Sequence, residues 1–104
     1  MFQQELPPPF ALFRMITGFY VSRAIHVVAR LGIADLLADR ARGHDELAKA
    51  TGAHAPSLRR VLRLLASAGL FTEEENGRFA VTPIGACLRA DVPGSMRDMA
   101  MATP

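Results

Sequence analysis

The stretch from His44 to Val81 constrains the fold more than any other part of the chain. It reads HDELAKATGAHAPSLRRVLRLLASAGLFTEEENGRFAV. His44 or Asp45 can cap a first helix whose apolar side is Leu47, Ala48 and Ala50, and Thr51-Gly52 stops it. Pro56 and Ser57 suit the first turn of a second helix, where a missing N–H costs nothing. From there Leu58, Val61, Leu62 and Leu65 recur at the i, i+3, i+4, i+7 spacing of one buried face, and Gly69 is the next stop. Leu70–Thr72 and Arg78–Val81 are short β-prone runs on either side of Asn76-Gly77, a hairpin-turn dipeptide. Helix, turn, helix, hairpin is the order of a winged helix-turn-helix. The predicted fold class is therefore mainly α, with a small β-hairpin wing and additional N-terminal helices. The order does not specify a function, because winged helices serve both DNA binding and protein association.

The N-terminal third carries a second constraint. Leu6-Pro7-Pro8-Pro9 predicts an extended arm over residues 1–9, leading into a helical domain over 10–104. Between Phe10 and Leu31, large apolar residues point in nearly every direction around a helix, which Gly18 is expected to divide in two. A helix apolar on all sides must be covered on all sides. A membrane span is disfavoured by Arg14, Arg23, His26 and Arg30. A second copy of the chain is the better cover. The expected interface consists of Phe10, Phe13, Ile16, Phe19, Tyr20 and Val27, with Arg14, Arg23 and Arg30 at its rim.

Further along, Leu31–Leu37 predicts a helix end and a short helix with Ile33, Leu36 and Leu37 inward, and Asp39–Gly43 a solvated loop. Thr82-Pro83 opens a helix with Thr82 as its cap, turning Ile84, Ala86, Cys87 and Leu88 inward. Ser95–Ala102 begins a last helix with Met96, Met99 and Met101, and the chain stops at Thr103-Pro104 with that element barely begun, as a piece of a longer protein would.

Catalytic and metal-binding patterns are absent from the sequence. His26, His44 and His54 lack metal-ligand spacing, and no Gly-rich phosphate or dinucleotide loop occurs. Cys87 has no neighbour that would activate it and is expected to be buried packing. As the single cysteine it excludes an internal disulfide and fits a reducing cytoplasm. Met96, Met99 and Met101 suggest unfinished core or interface. The alternative function is a stand-alone DNA-binding regulator, with Arg59, Arg60 and Arg63 on the recognition helix. Against it stand a formal net charge of only +2, and a wing carrying Glu73, Glu74 and Glu75 toward the place of the phosphates. The helix also offers few side chains for reading base edges.

Three segments together carry a family resemblance: Phe19–Leu37 (FYVSRAIHVVARLGIADLL), Leu58–Phe71 (LRRVLRLLASAGLF) and Phe79–Gly85 (FAVTPIG). In that order they resemble the opening of the small-molecule O-methyltransferases that use S-adenosylmethionine, of the plant phenolic and bacterial polyketide-tailoring type. The resemblance implies an N-terminal dimerisation domain that exchanges helices with its partner and helps to wall the partner's substrate pocket. It implies S-adenosylmethionine and a small-molecule acceptor only for the longer parent. The Gly-rich cofactor loop and catalytic His of such enzymes lie in a Rossmann-like domain that has no counterpart in this sequence. No catalytic, cofactor or metal residue is therefore assigned here, and catalysis is expected of the parent and not of these residues alone.

Overall fold

The computed structural model describes residues 7–102. Its longest element is α1 (Pro8–Leu31), a single uninterrupted helix. The expected break at Gly18 does not occur: one glycine inside a helix costs only roughly 0.5–1 kcal/mol relative to alanine, too little to divide a helix anchored further along. The Thr17 hydroxyl, next to it, donates to the Phe13 carbonyl at 2.9 Å. The helix also starts earlier than expected. Pro8 and Pro9 occupy its first turn, and Pro7 is the extended residue before it. The rest of the expected arm, residues 1–6, lies outside the described residues. At the other end Gly32 adopts φ +70°, a left-handed cap that a side chain would strain, and its N–H donates to the Ala29 carbonyl.

The chain then turns into α2 (Ile33–Leu36) and reaches α3 (His44–Thr51) and α4 (Ala55–Ser67). Strands β2 (Phe71–Glu73) and β3 (Arg78–Val81) pair antiparallel in the register Phe71↔Val81, Thr72↔Ala80, Glu73↔Phe79. The turn is closed by Gly77 at φ +85° and by Asn76, whose side-chain oxygen accepts from the Arg78 N–H at 3.0 Å. Together, α3, α4 and the hairpin form the winged helix-turn-helix read from the sequence.

Two local expectations are corrected. The segment Asp39–Gly43 is not simply a solvated loop, because Arg42–Gly43 form a short strand β1 against β3, giving the sheet order β1-β3-β2. Arg42 holds this strand in place. Its Nε donates to the Leu36 carbonyl at 2.6 Å, and its terminal nitrogens bond Glu46 at 2.6 Å and Asp39 at 3.2 Å. Hydrogen bonds from Arg40 and Arg42 hold the Glu46 carboxyl below the usual glutamate range. The N-cap of α3 is Gly43 rather than His44 or Asp45, since pairing with β3 carries the chain in extended form up to Gly43.

The core gathers one residue set from every layer: Val28 of α1, Ile33 of α2, Leu47 of α3, Leu62 and Leu65 of α4, and Phe79 from the central strand, all fully buried. Leu58 is buried beside them and Val61 is half-buried, while Ala50 of α3 is exposed. After β3, Thr82 caps α5 (Pro83–Ala86) as expected, accepting from the Gly85 N–H at 3.2 Å while its hydroxyl donates to the Gly69 carbonyl at 2.6 Å. These bonds press α5 onto the start of β2 so closely that a Cβ on Gly85 would collide with the Leu70 carbonyl and the Val81 side chain. The last element, α6 (Arg97–Ala102), returns to pack along α1.

Gly85→Ala should therefore destabilise the domain by about 1–3 kcal/mol through overpacking against backbone, measured as a lowered urea midpoint at unchanged m-value. An unchanged midpoint would show that α5 is free to lift off the sheet.

Candidate association interface

The two halves of α1 meet different surroundings. Its C-terminal half buries Ala24, Val28 and Ala29 in the core. Its N-terminal half has no cover: Phe10, Leu12, Phe13, Met15, Ile16, Phe19 and Tyr20 are each between 57% and 77% exposed. A soluble monomer does not ordinarily present so large a contiguous apolar surface. Phe10, Phe13, Ile16, Phe19 and Tyr20 from the expected interface thus all lie on uncovered helix. Val27, at 39%, sits further along where the helix is already partly sheltered. Arg14, Arg23 and Arg30 are exposed on the same helix, and the Arg23 guanidinium lies 5.8 Å from the Phe19 ring centroid.

Beside the junction of the two halves is an apolar groove of about 550 Å³. Gly18, Val21, Ser22 and Ile25 of α1 form one side, and Leu70, Ile84, Cys87 and Leu88 another. Met96, Met99 and Ala100 close it. Three long-range bonds fix this wall. The Arg97 Nε donates to the Ala29 carbonyl at 2.9 Å, the Ala90 N–H to the Asp35 carboxylate at 3.0 Å, and the Met96 N–H to the Cys87 carbonyl at 2.8 Å.

The groove corrects two sequence expectations, because Ile84 and Cys87 are exposed rather than inward. The cause is local: α5 is a single turn whose sheet-facing residue is Gly85, so positions 84 and 87 fall on its other side while Leu88 is buried. The close approach of Gly85 would have been the sequence signal, visible only once β2 and α5 were known to touch.

Arg59, Arg60 and Arg63 are exposed along α4. Arg63 directs its Nε to Glu73 of the wing at 3.1 Å. The wing carboxylate thus takes up charge that a DNA phosphate would otherwise meet, and among the described residues Arg59 and Arg60 have no ion-pair partner. The histidines are dispersed: His54 Nδ1 lies 2.8 Å from the Ser57 hydroxyl, His44 is 3.5 Å from Asp45, and His26 is half-buried on α1. No cluster of metal-ligating side chains occurs among the described residues. Among them, also, no helix is long and apolar enough to cross a membrane.

A winged helix with an added, half-uncovered helix is the class that the geometry defines. Residues 13–91 match the O-methyltransferase dimerisation domain, and the chain belongs to that family. It is 51% identical over 96 residues to a phenazine O-methyltransferase of Lysobacter antibioticus, covering 92% of this chain and 28% of that protein. A phenazine-1-carboxylate N-methyltransferase of Pseudomonas aeruginosa is 38% identical over 86% of this chain and 27% of its own length. Among solved structures, that of LaPhzM superposes with a TM-score of 0.86 at 51% identity, over 92% of this chain and 29% of that one. CalO1, a methyltransferase of calicheamicin biosynthesis solved in its SAH-bound form, superposes at 0.81 with 41% identity, over 96% and 30%. The chain thus spans little more than a quarter of the length of these relatives.

Because Arg63 is paired and the wing is acidic, random duplex DNA should bind only weakly, and selection from a genomic library should return no preferred site. A salt-dependent, sequence-selective nanomolar complex would contradict this assignment of the α4 arginines.

Proposed function

We propose that the chain is the dimerisation domain of a methyltransferase that moves a methyl group from S-adenosylmethionine to a hydroxyl of a small aromatic or polyketide-like molecule, and that it works as a homodimer. The observation that carries this reading is the uncovered apolar half of α1. Covering a large apolar side chain is worth roughly 1.5–3 kcal/mol, and the exposed face holds several. The acceptor class follows the relatives, which include a mitomycin 6-O-methyltransferase and a naphthoate 7-O-methyltransferase from Streptomyces. Others among them are N-methyltransferases. The single cysteine suits the reducing cytoplasm in which such an enzyme would work.

The described residues do not fit S-adenosylmethionine. Their strands are short and antiparallel, and none enters a helix through a Gly-rich turn. Cofactor binding and the methyl transfer itself belong to the remainder of the parent. The role of this domain is to hold two copies together.

Sedimentation of residues 1–104 should show a dimer at micromolar concentration, with a thermal midpoint that rises with protein concentration. Phe19→Asp should yield a folded monomer, because Phe19 contributes nothing to the buried core. A wild-type chain that stays monomeric at high concentration would overturn the proposal.

A further inference from the structure

We propose that α6 is a strap that closes the groove beside α1, pivoting on residues 92–95 and held shut by Arg97. The proposal concerns a single protomer and is independent of whether the domain dimerises.

The strap has little hold of its own. α6 has six residues, and a helix so short does not sustain itself in water. None of its residues is buried. Ala100 packs partly against the core, while Met99 and Met96, just ahead of the helix, are 64% and 45% exposed although they line the groove. An element with so little buried surface can open locally while the rest of the domain stays folded.

Arg97 supplies the hold that burial does not. Its Nε donates to the Ala29 carbonyl at 2.9 Å, a bond between residues 68 positions apart. The acceptor explains why an arginine suits this place. Ala29 lies at the C-terminal end of a 24-residue helix, where the carbonyls carry the negative end of the helix dipole. The left-handed turn at Gly32 brings its N–H to the Ala29 oxygen at 3.2 Å, and Arg97 uses the oxygen's second lone pair. A charged donor makes a stronger bond than a neutral one. Arg97 is also half-buried, which limits competition from water.

The chain leading into α6 is built as a pivot. Leu88 is buried and the Ala90 N–H donates to the Asp35 carboxylate at 3.0 Å, so the chain is fixed to the body of the domain up to there. The Arg89–Asp91 ion pair, at 2.8 Å, braces the same point. Gly94 then turns the chain at φ +71°, a conformation that a side chain would strain. A backbone bond from the Met96 N–H to the Cys87 carbonyl closes this turn at 2.8 Å. Once Arg97 lets go, a swing about Gly94 carries Met96, Met99 and Ala100 together away from Val21, Ile25 and Leu70 across the groove. Access to the groove is thus governed by one side-chain bond.

Arg97→Met keeps the apolar stem and removes the donor. Amide exchange is followed at one protein concentration at which sedimentation gives a single species, so the result reads the strap in monomer or dimer alike. The Ala100 amide, bonded to the Met96 carbonyl at 2.9 Å, should exchange about tenfold faster in this variant, with the α4 amides unchanged. Gly94→Ala places a Cβ where nothing lies within 4 Å. It therefore acts through the backbone alone and should speed the same amide about fivefold. Both variants should bind more of the apolar dye anilinonaphthalene sulfonate than the wild-type chain does. Equal protection of α6 in Arg97→Met overturns the latch, and equal protection in Gly94→Ala overturns the pivot. Loss of protection in α4 along with α6 places Arg97 in the global fold and overturns a separate strap. Faster exchange in α6 with unchanged dye binding shows that the groove does not open, and overturns the closing role.

Discussion

The structure depends on the burial of one end of a single long helix. Ala24, Val28 and Ala29 of α1 pack into the same core as Leu62, Leu65 and Phe79, joining the added helix to the winged helix. Because a helix is stiff, fixing its C-terminal half fixes the direction of its N-terminal half, with Phe10–Tyr20 projecting from the domain. Hydrophobic burial is therefore largely made at one end and outstanding at the other. Arg97, bonded to the Ala29 carbonyl near the end of the buried half, ties α6 to the same helix and builds the groove beside the projection.

The winged-helix frame serves association here by changing what its parts do. In a DNA reader, α4 and the wing would present unpaired positive charge to phosphates. Here the wing is acidic, and Glu73 draws Arg63 back onto the domain. The apolar surface lies instead on the helix that precedes the winged unit. The family match over residues 13–91 agrees with this division of labour.

Much of the fold was legible in the sequence because the signals were local and periodic. The spacing of Leu58, Leu62 and Leu65, the stop at Gly52, the Asn76-Gly77 turn and the Thr82 cap all act within a few residues of themselves. The uncovered helix was legible for the opposite reason: Phe10, Leu12, Phe13 and Met15 fit no single stripe, which signals missing cover. What could not be read required long-range geometry. Arg42 reads as part of a charged loop until β3 is known to lie beside it and Leu36 and Glu46 within its reach. Cys87 and Ile84 read as inward until Gly85 is seen to take the sheet-facing position. Gly18 reads as a break because its local cost is visible in the sequence, whereas the anchoring of α1 at its far end is not.

The central claim is that the projecting half of α1 owes its cover to a second copy. Amide hydrogen exchange over residues 10–20, followed across a dilution series, tests it most directly. Protection there should be weak at low concentration and rise as dimer forms, while the amides of α4 stay protected throughout by their own core. Protection over residues 10–20 that does not change with concentration, in a chain shown by sedimentation to span monomer and dimer, would contradict the account.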